Sequence, residues 1–113
     1  MKITDGGITS PLGYKASGIC AGIRGKHTKN DMAAIIMEKE AVSAGMYTKN
    51  KVKAAPVVWD KLVTDSEKGV KAVVINSGIA NASTGKQGYE NTVRTAEMAA
   101  KAIGAEKEQI IVS

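Results

Sequence analysis

Short apolar runs alternate with polar, glycine-bearing turns along the first half of the chain, and helical spacing enters in the second half. In residues 13–24 (GYKASGICAGIR), Tyr14, Ala16, Gly18, Cys20 and Gly22 share one parity; Lys15, Ser17, Ile19 and Ala21 share the other. This predicts a strand whose glycines admit a close backbone neighbour. A polar turn, 25–30, leads to the apolar run 31–38 (DMAAIIME). That run predicts a strand buried on both faces, paired with the first as an antiparallel hairpin. Residues 43–48 (SAGMYT) predict a third strand. Pro56 suits a first helical turn, and Val58, Trp59, Leu62 and Val63 follow at three- and four-residue spacing, so a helix is expected over 56–64. The β-branched run 71–75 (KAVVI) predicts a further strand.

Thr84 followed by Gln87 matches a capping box, in which each side chain serves the other's backbone N–H. The helix it opens is predicted to run to Ile103, with Tyr89, Val93, Ala96, Ala100 and Ile103 on one face. Glu90–Arg94 and Glu97–Lys101 place acid four residues before base on the polar face. Gly104 fits a left-handed C-cap, and 109–113 (QIIVS) reads as another buried strand. Strand, loop, helix and strand form a βαβ-like unit, which predicts an α/β fold with a mixed sheet and packed helices. Residues 1–113 read as one unbroken segment, with no repeat or linker. A sequence stopping in a buried strand is expected to be part of a larger folded object.

Composition narrows the function. The chain has 113 residues, enough for one domain; 43% are hydrophobic and none is Phe, so Ala, Val, Ile, Leu and Met must build the core. One cysteine, Cys20, and one histidine, His27, cannot form an internal disulfide or a thiolate zinc site, so no metal is expected and a reducing cytoplasm is. No run approaches a membrane span, and the first residues, MKITDGG, lack the apolar core of a secretory signal. The net charge is +5, but the lysines are scattered, and three Tyr and one Trp offer little for stacking; nucleic-acid binding is not expected.

The loop 76–85 is the most informative stretch. It leaves a buried strand and enters a helix N-terminus, where backbone N–H groups and the helix dipole favour negative charge. Asn76, Ser77, Asn81, Ser83 and Thr84 add donors and acceptors, and Gly78 and Gly85 allow close backbone approach. A carboxylate, a phosphate or a developing oxyanion would suit it. A polar turn satisfying its own backbone accounts for the same residues, and the spacing is neither a dinucleotide fingerprint nor a phosphate-binding P-loop. Ser77 lacks the first glycine of a nucleophile elbow. His27 reads as a surface residue, and Cys20 as a buried, inert thiol. Glu38, Glu40, Asp60, Asp65 and Glu67 show no paired spacing that argues for acid–base work. No complete catalytic set is present.

Three segments carry a family resemblance: GGITSPLGY at 6–14 with ASG at 16–18, SAGMYTKNKVKAAPV at 43–57, and VVINSGIANASTGKQG at 73–88. In this order they resemble the N-terminal region of the ornithine acetyltransferase family, also called glutamate N-acetyltransferase. Ile79 and Ser83 depart from the Asn and Cys that the family often carries. The resemblance implies an enzyme of arginine biosynthesis, several times this length, with a layered α/β acyltransferase fold. Its precursor cuts itself before a threonine into α and β chains that stay together as an α2β2 heterotetramer. The freed threonine takes acetyl from N-acetylornithine and passes it to glutamate; some members accept acetyl-CoA as a substrate, and no cofactor is implied. The nucleophile, its surrounding lysine and acids, and a Thr-Gly oxyanion pair have no matching position here, so no catalytic residue is carried over. The expected role is an inactive α-side scaffold, whose strand 109–112 delivers the oxyanion loop. Asn76, Ser77, Gly78, Asn81, Thr84 and Gly85 are expected to line the cleft beside it. A small anion- or nucleotide-binding module using the same loop, and a purely structural subunit, are the rival expectations.

Overall fold

The computed structural model describes residues 5–26 and 28–113. His27 and the first four residues lie outside the described residues. The strands β1 (Tyr14–Ile19), β2 (Met32–Ala41), β3 (Val70–Asn76) and β4 (Ile110–Val112) form a sheet in the order β1-β2-β3-β4. β1 pairs with β2, and β2 with β3, antiparallel; β3 pairs with β4 in parallel. The parallel pair requires a crossover, and helix α2 (Gly85–Ile103) supplies it. Helix α1 (Ala55–Asp65) connects β2 to β3. The expected mixed sheet with packed helices is what the chain forms.

The core lies between β3, β4 and the two helices. Val70, Ala72 and Val74 of β3 and Ile110 and Val112 of β4 share one sheet face, against Trp59 and Val63 of α1 and Ala96 and Ala100 of α2. Ala at positions 96 and 100 lets α2 approach the sheet closely, as the small-residue composition implied. Over β1 and the near half of β2 the helix layer is missing, and β2 is only half-buried for most of its length. It is therefore not the strand buried on both faces that its apolar run predicts; Met37 alone is buried within it.

Four further expectations are corrected. Residues 43–48 form no strand. Val42 and Met46 are fully exposed, and with no neighbouring ladder the backbone from 48 to 52 takes its hydrogen bonds from Thr48 and Asn50 side chains. The capping box at Thr84 does not form: Thr84 is in right-handed helical rather than extended geometry, so its hydroxyl donates back to the Asn81 carbonyl (3.3 Å). Gln87 instead bonds Asn91 (3.1 Å). Glu90 pairs with Lys86 and Glu97 with Lys107, rather than with Arg94 and Lys101. Cys20, placed just beyond β1, is exposed, not buried. The Gly104 cap does form, in left-handed conformation (φ 69°), with its N–H on the Ala100 carbonyl.

Candidate functional site

β3 and β4 run parallel, so their carboxyl ends reach the same edge of the sheet, where α/β folds place ligands. Ser113 is fixed there: its N–H donates to the Val74 carbonyl and its carbonyl accepts from Asn76 N–H, both at 2.8 Å. β4 is held from its other side by α1. Val112 N–H donates to Asp60 Oδ1 (3.0 Å), and Trp59 Nε1–H donates to the Ile110 carbonyl (2.9 Å). Two outward-facing backbone groups of this edge strand thus have α1 side chains as partners, and Val112 is only 4% exposed. Burial pushes the Asp60 carboxyl up to about 6, against the opposing pull of the Val112 N–H.

Beside this edge lies a cleft of about 350 Å³, walled by Asn76, Ile79, Ala80 and Asn81 of the loop, by Thr84 and by Ala55 and Val112. The first turns of α2 complete it with Gln87, Gly88, Asn91, Thr92 and Thr95. Every polar group in the wall is an amide or a hydroxyl; none is charged. Asn81 ties the wall together. Its carbonyl accepts from Ala55 N–H at the start of α1 and from the Thr84 hydroxyl, and its side-chain amide donates to Asn76 Oδ1, each at 3.3 Å. No side chain caps the N-terminus of α2, so the dipole end expected from sequence is present at the cleft.

The structure therefore brings Asn76, Asn81 and Thr84 together in one wall and places Ser77, Gly78 and Gly85 elsewhere. Ser77 faces away: its N–H donates to the Asp31 carbonyl (2.8 Å) and its hydroxyl accepts from the Arg24 guanidinium. Gly78, at φ 100°, lies under Arg24; a Cβ there would collide with Arg24 Cγ. Gly85 opens α2 without lining the cleft.

Asp31, absent from the candidates above, organises the far side of the loop through its carbonyl on Ser77 N–H and its carboxylate on the turn that follows β1. It is 2% exposed, and its carboxylate accepts from Ala21 N–H (2.6 Å) and Arg24 N–H (3.1 Å). The Arg24 backbone N–H, with help from those of Ala21 and Ile23, outweighs burial and holds the Asp31 carboxyl below its ordinary value. The available signal was an acid following a glycine-bearing turn, which commonly bonds backbone N–H groups. Among the described residues no cluster of His, Cys, Asp and Glu could hold a metal ion, and no helix is long and apolar enough to cross a membrane.

Residues 15–113 match the model of the ArgJ family. The chain belongs to that family. It is 43% identical over 113 residues to the arginine biosynthesis bifunctional protein ArgJ of Streptococcus thermophilus, covering all of this chain and 28% of that protein. It is 42% identical to the chloroplastic ArgJ of Oryza sativa subsp. indica, over 98% of this chain and 24% of that one. The chain thus spans about a quarter of the length of the curated relatives it matches. Among solved structures it superposes on ArgJ of Bacillus halodurans with a TM-score of 0.88 at 36% identity, over 96% of this chain and 56% of that one. Ornithine acetyltransferase of Mycobacterium tuberculosis, complexed with ornithine, superposes at 0.87 and 38% identity, over 94% and 57%. The sequence resemblance and the ArgJ fold agree.

Proposed function

We propose that this chain is the N-terminal, α-side segment of an ArgJ enzyme that moves acetyl from N2-acetylornithine to glutamate in arginine biosynthesis. Ser113, locked between Val74 and Asn76, is the observation that carries this reading. In this reading the carboxyl end of β4, fixed beside a polar cleft, leads toward an oxyanion-forming loop. Acyl transfer needs an activated hydroxyl and donors aimed at the tetrahedral oxyanion. In this reading the remaining polypeptide supplies both: a threonine freed by self-cleavage forms the acyl-enzyme, and a Thr-Gly pair holds the oxyanion. This segment supplies the wall and fixes the strand that presents the donors. Acetyl-CoA is an alternative acetyl donor, and the working assembly is an α2β2 heterotetramer in the cytoplasm.

The relatives' lengths support the cleavage. The chain covers 56% of the solved Bacillus polypeptide but only 28% of the full Streptococcus relative. The solved polypeptide is thus about half a full-length relative, as a precursor cut in two would give. The uncharged lining of the cleft argues against the rival phosphate- or nucleotide-binding module, which would place a cation among the backbone donors. The test is acetyl transfer from N-acetylornithine to glutamate, assayed with this chain alone and with the rest of the precursor. Activity is expected only in the second case. Transfer by the chain alone, or none by the assembly, would overturn the reading.

A further inference from the structure

α2 sorts its polar side chains by charge. Lys86, Glu90, Arg94, Glu97 and Lys101 all stand outside the cleft wall, whereas Thr84, Gln87, Asn91 and Thr95 all stand in it. These four follow one another at three- and four-residue steps, so they form one stripe along the helix. From Thr84 to Thr95 the stripe is about 16 Å long, at about 1.5 Å rise per residue. A carboxylate, phosphate or ammonium taken out of water needs an opposite charge. A wall without one suits an elongated ligand that is polar and neutral.

Two amide pairs set the pattern such a ligand must match. Asn81 Nδ2 donates to Asn76 Oδ1 (3.3 Å), and Gln87 Nε2 donates to Asn91 Oδ1 (3.1 Å). Each pair leaves one carbonyl oxygen and one NH2 group without a side-chain partner among the described residues: Asn81 Oδ1 with Asn76 Nδ2, and Gln87 Oε1 with Asn91 Nδ2. A secondary amide carries one N–H and one C=O, so each pair is the complement of one secondary amide. Ala55, Ile79, Ala80 and Val112 add apolar surface to the same wall.

We propose that the cleft seats the pantetheine arm of an acyl-CoA, a neutral chain with two secondary amides joined by methylenes, while the phosphates of the carrier stay outside. The proposal rests on the acetyltransferase reading and gives its acetyl-CoA donor a place on this segment. The cleft reaches Val112, beside the β4 end where that reading puts the acyl chemistry. The thioester end of the arm points there.

The experiment uses the assembled enzyme with glutamate as acceptor and three acetyl donors: acetyl-CoA, S-acetylpantetheine and N-acetylornithine. The readout is kcat/KM for each thioester divided by that for N-acetylornithine, which cancels any general loss of activity. Asn91→Leu removes a free donor and the partner of Gln87 from the exposed surface of α2. It should lower both ratios roughly 10-fold, chiefly through KM. Gln87→Leu breaks the same pair from its other side and should act alike, so it serves if the first variant does not assemble. Ratios that stay at the wild-type value would mean that the cleft holds water or polypeptide. A loss confined to acetyl-CoA, or a wild-type enzyme blind to S-acetylpantetheine, would mean that the nucleotide end makes the contact. A wild-type enzyme that uses N-acetylornithine but neither thioester has no arm to seat. Each of these results overturns the proposal. An assembly that transfers nothing from N-acetylornithine either would instead overturn the acetyltransferase reading.

Discussion

Asp60 and Asp31 are carboxylates of opposite behaviour. Asp60 accepts one N–H, from Val112, in a half-buried setting, so its folded-state value, about 6, lies above its ordinary 3.8. The folded chain then holds a proton that the unfolded chain has released between these values. The Asp60 contribution to stability is therefore greatest below pH 4 and declines as pH rises to about 6. Asp60→Asn keeps the acceptor oxygen and removes the charge. Thermal melts across pH 4–8 should show this decline flattened and the melting temperature at pH 7 raised by a few degrees. A lower melting temperature at pH 7 would show that the charge itself holds β4. Asp31 runs the other way. Its carboxyl lies below its ordinary value because several backbone N–H groups converge on it, led by Arg24. Its contribution is present above pH 4 and is lost as acid protonates it. Asp31→Asn should steepen nothing on the alkaline side and should remove part of the acid unfolding transition. The partners of neither carboxylate were readable along the chain. Val112 lies 52 residues from Asp60, and the Asp31 partners are backbone groups that no side-chain spacing reveals.

At the scale of elements, legibility followed periodicity. α2 was readable because Tyr89, Val93, Ala96, Ala100 and Ile103 repeat at helical spacing and Gly104 supplies the left-handed end. Its start at Thr84 is read correctly from the sequence, but the capping-box bonds do not form, because Thr84 turns its hydroxyl under Gly88 and toward Asn81. β3 and β4 were readable as compact β-branched runs. The segment 43–48 has the same composition as a strand but no partner to make it one, and Tyr47 instead reaches the Thr64 hydroxyl on α1 (3.1 Å). Three of the six expected cleft residues share a wall. The others serve Arg24 or the start of α2, a division that depends on which way each side chain turns. Two substitutions test the elements. Gly104→Ala forces a left-handed conformation on an L-residue and should cost about 1–2 kcal/mol in urea unfolding. Trp59→Phe keeps most of the buried ring area but leaves the Ile110 carbonyl without its donor. It should cost about 1–3 kcal/mol, with Ile110 itself fully buried. A neutral outcome for Trp59→Phe would show that the outer edge of β4 is held by Asp60 alone.

Across the whole molecule, the helices cover β3 and β4 but not β1 and β2, and this asymmetry has a consequence for solution behaviour. Between α2 and the uncovered strands runs a groove of about 420 Å³, lined by Ile19, Met32, Ala34 and Ile36 from the sheet and by Met98, Ala102 and Ile103 from the helix. Met98 is 64% exposed and Ile19 54%. Contiguous apolar surface of this kind drives association in water. β1 adds to it, because an edge strand with small residues at Ala16, Ser17 and Gly18 offers unpaired backbone groups. Produced by itself, the segment is therefore expected to bind an apolar dye and to elute as species larger than a monomer. Met98→Glu places a charge in the groove at a position facing solvent, so it should reduce both signals without lowering the melting temperature appreciably. If the variant associates as wild type does, the β1 edge rather than the groove drives the association. An Ala16→Pro change, which removes an outward-facing backbone donor from the free edge of β1 without touching the groove lining, would then separate the two surfaces by lowering the association that Met98→Glu leaves.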